Sequence, residues 1–301
     1  MVQLLFILIV GTFFFSALLT PPVFSLICSV YPDFGYPFSR VFDRVAMVVL
    51  ALFVLIYRKE FQFSGFEGYF SKANLKLKIT RLLLGTVITS TLVAVALACV
   101  LHNGKMVRTI ESVNAHFILK MLGVFGSAIL ISLLEEGFFR VLFFNRLKQR
   151  FNVIVAALIS AMVYGVVHFI TPVKSFVYEE FSFWAGFVYL KEVCLRMLQP
   201  GFLAPYFGMV SIGLLLCYTI HKTKSFALCV GLHSGFIIGM KLVKYTAKIS
   251  DSISIPAGAG ERYFVVGQPE AWLALGITFL VIYCGVRFSS IFSKDERVKE
   301  L

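Results

Sequence analysis

Long apolar runs divided by short charged segments set the plan of the chain. Eight runs, near residues 3–20, 41–57, 82–101, 117–145, 152–170, 202–220, 226–243 and 271–287, approach the roughly 20 residues a helix needs to cross ~30 Å of hydrocarbon. The pattern predicts an all-α, polytopic membrane protein of about eight transmembrane helices. The segments between the runs are too short for a soluble domain, and no internal repeat or low-complexity tract interrupts them. The expectation is therefore a single membrane-embedded domain over residues 1–301. The first run lacks a basic n-region and is followed by Pro21-Pro22 instead of a small-residue cleavage site, so it reads as a retained span and not a signal peptide.

Composition agrees: 59% of the 301 residues are apolar, 15% are charged and 33 are phenylalanine, far from the soluble balance. The net charge of +12 comes from Lys and Arg lying mostly between the apolar runs. Anionic headgroups and topology explain that placement, and no nucleic-acid-binding motif is present. With the amino terminus inside and Arg140 counted with the turn 146–151, the inner segments carry 16 of the 28 basic residues. The expectation is an integral protein of the plasma (inner) membrane with both termini cytoplasmic. The six cysteines (Cys28, Cys99, Cys194, Cys217, Cys229, Cys284) form no C-x-x-C pair and read as packing residues. Two connecting segments are rich in aromatics. Residues 60–80 hold Phe61, Phe63, Phe66, Tyr69 and Phe70 among lysines, and 173–199 holds Phe176, Tyr178, Phe181, Phe183, Trp184, Phe187 and Tyr189. Both suit elements lying at the headgroup level, the second serving either as a plain membrane-lying helix or as a flap over a cavity. Glu179-Glu180 within it reads as a solvated face.

Candidate chemistry concentrates in the fourth run. From Phe117 to Asn145 only Lys120, Glu135, Glu136 and Arg140 carry charge, and ionisable groups within hydrocarbon face one another or a wet cavity. Glu136 and Arg140 are i and i+4 with the acid first, the favourable order for a helical pair. Glu135 is rotated about 100° from Glu136 and is left to face something else. His102, His116 and His221 lie at span ends or in loops, whereas His168 and His233 fall inside the fifth and seventh runs. Glu135 and His168 flank the basic turn 146–151 almost symmetrically. In an antiparallel hairpin both lie roughly 25 Å from that turn, at one depth. Ser160, Tyr164 and His168 recur every four residues as one polar stripe.

These residues, Glu135-Glu136 with Arg140 (E-E-x-x-x-R), Tyr164 to His168 (aromatic-x-x-x-His) and Gly231-Leu232-His233, resemble in order the three motifs of the CPBP family. That family comprises type II CAAX prenyl endopeptidases and bacteriocin-processing proteins, which are glutamic-type intramembrane proteases. The resemblance covers residues 117–243, the expected catalytic core, and implies no cofactor and no metal. It makes Glu135 the base that activates water, and His168 the group that holds this water and moves the proton. His233 becomes the oxyanion partner, with Glu136 and Arg140 bracing the site. Two positions depart from the family pattern: Tyr164 stands where Phe is frequent, and Ile237 stands where Asn commonly follows the third-motif His by four residues. Either Tyr164 or Ser160 supplies the missing donor, or catalysis is weak, or the site is built differently.

Other readings stay open at this point. Glu135, His168 and His233 also form a known catalytic zinc set, with Glu136 as base, although H-E-x-x-H is absent. A non-catalytic scaffold or immunity protein of the same fold, and a proton-coupled transporter, are the non-proteolytic alternatives. The expected partners are the lipid bilayer and a membrane-anchored or exported protein substrate. A site far from a cytoplasmic turn 146–151 favours presentation at the extracytoplasmic face.

Overall fold

The structure, a computed structural model, describes residues 2–57, 59, 74–109, 114–170, 176–178, 180–258, 263–289 and 291–292. Most of the aromatic-basic element expected at 60–80, with its Phe61, Phe63, Phe66, Tyr69 and Phe70, lies outside the described residues, as does Glu179. The helices are α1 (Val2–Val30), α2 (Phe38–Ile56), α3 (Leu75–His102), α4 (Ala115–Glu136), α5 (Asn145–Lys148), α6 (Val153–His168), α7 (Ala185–Met197), α8 (Leu203–Thr223), α9 (Phe226–Thr246) and α10 (Pro269–Phe288). A π-helical stretch, Gly137–Phe144, joins α4 to α5. The all-α class holds. Among the described residues the helices are joined by a pair of three-residue antiparallel strands, β1 (Met106–Arg108) and β2 (Ala247–Ile249), with Val107 opposite Lys248.

A helix stands at each of the eight expected positions. Six of them are long and apolar enough to cross a membrane: Ile7–Val30, Leu75–His102, Phe117–Lys148, Leu203–Thr223, Phe226–Thr246 and Pro269–Phe288. The protein is accordingly an integral membrane protein. The other two are of different character. Helix α2 carries Arg40, Asp43 and Arg44 in its first two turns, and α6 has only 16 residues, about 24 Å of helix.

The first helix runs ten residues further than the double proline suggests. Pro21 and Pro22 sit inside it, where each removes an N–H from the ladder. The Ala17 carbonyl loses its partner at Pro21, and the backbone of Gly186 in α7 lies directly against that carbonyl, so closely that a Cβ there has no room. Tertiary contact thus covers the group that proline leaves bare. Around this junction a cluster of aromatics packs α1, α2 and α7 together. Phe38 stacks on Tyr178 at 5.1 Å, and Tyr189 packs on Phe42 at 4.9 Å. The aromatic segment is therefore divided in use. Phe176, Tyr178 and Tyr189 belong to this cluster, while Phe181, Phe183 and Trp184 are exposed, as headgroup-level residues are.

The larger core is assembled around α9. Small residues at four-residue spacing, Gly231, Gly235 and Gly239, let α9 pack against α3, where Gly85, Thr86 and Val93 face them. Close backbone approach of this kind is the common way helices associate in lipid. The Thr89 hydroxyl, 2.8 Å from the Leu232 carbonyl oxygen, locks the register one residue before His233. Helix α4 lies on another side of α9, and α6 packs on α8 at Gly165 and Gly213. The π-helical stretch touches α6 and α8.

Candidate active site

The three sequence motifs converge. Glu135 and Glu136 end α4, His168 is the last residue of α6, and His233 sits in the first half of α9. The π-helical stretch begins one residue after the two acids and buries Phe139 and Arg140. Such stretches occur frequently at functional sites because the wider turn redirects side chains that a regular helix would send elsewhere.

Glu136 is saturated. One carboxylate oxygen lies 3.0 Å from Arg140 Nε, in an ion pair in which both side chains are 0% exposed, and accepts from the Cys229 thiol at 3.1 Å. The other accepts from His233 Nδ1 at 2.8 Å. The Arg140 guanidinium lies over the Tyr164 ring at 4.7 Å and reaches Ser160 Oγ at 3.5 Å. Every charge in this brace has an opposite charge, a dipole or a ring against it, which buried ions in lipid require.

Glu135 differs. Its side chain is 26% exposed, and Oε2 lies 3.4 Å from His168 Nε2 and 3.8 Å from His233 Nε2. Both separations are long for a hydrogen bond. Each imidazole is already held through its other nitrogen: His168 Nδ1 donates to the Tyr164 carbonyl at 2.8 Å, and His233 Nδ1 donates to Glu136. Those bonds fix ring orientation and turn both Nε2 atoms toward one carboxylate oxygen. The Tyr164 hydroxyl is 3.4 Å from His233 Nε2, and its ring packs on His168 at 4.1 Å. Ser160, the other donor considered for the role left by Ile237, lies behind Arg140 with its hydroxyl toward the Phe139 carbonyl at 3.4 Å. Ile237 itself is half-buried.

The end of α6 is pinned where His168 leaves it. Carbonyls in the last turn of a helix lack intrahelical donors. Here the Tyr263 hydroxyl donates to the His168 carbonyl at 2.6 Å and Arg196 of α7 donates to the Phe169 carbonyl at 2.5 Å. Sequence reasoning missed Arg196 and Tyr263, which come from distant segments. It also read Cys229 as packing. One signal was available there, since Cys229 precedes His233 by four residues and so shares its helix face.

Glu135, His168 and His233 place one ligand atom each within 4.8 Å of one another, and two imidazoles with a carboxylate are a donor set that catalytic zinc takes. Glu136, by contrast, is wholly engaged and has no access to solvent, so it cannot serve as the base that the zinc reading assigned to it.

Residues 116–238 match the family model described as type II CAAX prenyl endopeptidase Rce1-like. The match spans all three motifs and agrees with the CPBP resemblance of the same segment. None of the curated proteins matches the chain.

Proposed function

From the likeness of residues 116–238 to the Rce1-like endopeptidases, a protease family, we propose that this integral membrane protein is a glutamic-type intramembrane endopeptidase, acting as one membrane-embedded domain on a protein substrate. The observation that carries the reading is a partly exposed carboxylate side chain, one oxygen of which faces two oriented imidazole Nε2 atoms. Amide hydrolysis by water needs a base, a proton donor for the departing nitrogen, and a donor for the developing oxyanion. Glu135 takes the proton of the attacking water. His168, fixed through Nδ1, accepts and returns a proton at Nε2. His233, as an imidazolium whose Nδ1–H is held by Glu136, offers its Nε2–H to the oxyanion beside the Tyr164 hydroxyl, so Tyr164 takes the place in the pattern that Ile237 leaves without a polar group. Glu136, Arg140 and Cys229 hold His233 in position and do not touch substrate.

With both termini cytoplasmic, the turn 146–151 is internal, and a site about 24 Å away along α6 lies in the outer half of the membrane. Substrates are then exported or membrane-anchored proteins cut near the extracytoplasmic face of the plasma membrane. Cysteine-accessibility labelling of 146–151 from inside only is the expected result, and labelling from outside reverses the assignment. The activity is tested by comparing protein termini in membranes from cells carrying wild type or Glu135→Gln. New termini confined to wild type support the reading, and identical termini with both proteins overturn it. The zinc alternative, favoured by the ligand-atom cluster, predicts stoichiometric metal in the purified protein and loss of cleavage on chelation.

A further inference from the structure

A groove of about 770 Å³, within the usual size of ligand pockets, opens between α6, α8 and α10, and none of Glu135, His168 and His233 lines it. Ile154 and Leu158 of α6, Tyr218 of α8, and Trp272 and Phe279 of α10 line it. Phe279 rests on Tyr218 at 5.0 Å, and Trp272 lies about 10 Å further along α10. The wall along that length is apolar except for Ser211, whose hydroxyl is turned back to the Phe207 carbonyl at 2.8 Å. At the Tyr218 end it becomes basic: His221 and Lys222 line the mouth, and Lys148 lies 5.0 Å over the ring of Phe144, another lining residue. Arg146 and Arg150 belong with Lys148 to the turn 146–151, and Lys224 to the turn that follows α8. No Asp or Glu occurs between Gly137 and Tyr178, or between Val193 and Ser250, so neither turn supplies a counter-charge of its own. An apolar channel with cations gathered at one end matches an anionic amphiphile.

We propose that this groove holds one acyl chain of an anionic phospholipid whose headgroup phosphate sits against Lys148, His221 and Lys222, at a site separate from the Glu135 pocket. The inference is independent of the proteolytic reading.

The chain has two tryptophans, and Trp184→Phe leaves Trp272 as the single reporter at the tail end of the groove. The full chain in this background is reconstituted in phosphatidylcholine vesicles. These contain equal fractions of either phosphatidylglycerol or phosphatidylcholine with dibrominated acyl chains, which quench tryptophan on contact. Phosphatidylglycerol is expected to quench at about thirtyfold lower fraction, the preference that a pair of surface lysines supplies. Lys148→Gln combined with Lys222→Gln should bring the preference to about one. Gly276→Leu should abolish it by filling the channel, and the fold accommodates this change because a Cβ at Gly276 meets nothing within 4 Å. If the double lysine variant does not fold, Gly276→Leu decides alone. Equal quenching by the two lipids overturns the proposal, as does a preference that survives Gly276→Leu, which would mark general attraction to a basic surface.

Discussion

Glu135 and Glu136 are neighbours in sequence and opposites in circumstance. Glu136 is fully buried and meets Arg140, His233 and Cys229 at 2.8–3.1 Å. Glu135 keeps a quarter of its side chain exposed and meets its two histidines only at 3.4 and 3.8 Å. The contrast shows how one helix end can serve two purposes. A carboxylate with all its lone pairs engaged is a strut, whereas one with few engaged can still take a hydrogen bond from a water molecule. The strut also makes the second role possible, because the bond from His233 Nδ1 to Glu136 is what turns His233 Nε2 toward Glu135.

The comparison is broken most severely at the strut. Glu136→Ala leaves Arg140 buried without its counter-ion, a loss on the order of 3–5 kcal/mol. Thermal unfolding of the purified variant should show a large drop or no folded protein at all, and a melt close to wild type would mean that Arg140 finds another anion. Next in size, Glu135→Gln should lower cleavage by about 10²–10⁴, the contribution of a positioned base, with the protein still inserted. Tyr164→Phe keeps the ring on Arg140 and His168 but removes the hydroxyl. Loss of an oxyanion donor predicts a fall of about 10²–10³ in kcat with little change in KM. Adding Ile237→Asn to that variant should restore part of the rate, whereas an unaffected kcat in Tyr164→Phe would leave the hydroxyl without a catalytic role. The smallest effect is expected at the rim. Tyr263→Phe removes one donor from the His168 carbonyl, a net cost of about 1 kcal/mol, visible as a modest drop in melting temperature and in cleavage.

Much of the site was legible because its signals are local and costly to fake. Two acids and an arginine inside an apolar run, and histidines within two further runs, need partners in lipid, and hairpin arithmetic alone set Glu135 and His168 at one depth. The structure brings them together with His233 as that depth implied. What the chain did not disclose depends on contacts between distant segments. The π-helical turn at Gly137–Phe144 has no residue signature apart from its packing on α6 and α8. Helix α1 continues through Pro21-Pro22 because Gly186, more than 160 positions away, covers the bared carbonyl. Arg196 and Tyr263 cap α6 from segments whose approach no periodicity announces. The six clearly spanning helices were legible from length and hydropathy, while α2 and α6 show where that measure thins out, one through charge and the other through shortness.

Glu135 is held for chemistry while Glu136 is held for structure, and the melting temperature of purified Glu135→Gln beside wild type separates the two roles. A melting temperature unchanged or raised is predicted, since a carboxylate with so few close partners contributes little to the fold. A fall comparable to that of Glu136→Ala would make both acids members of one structural ion cluster and contradict the account.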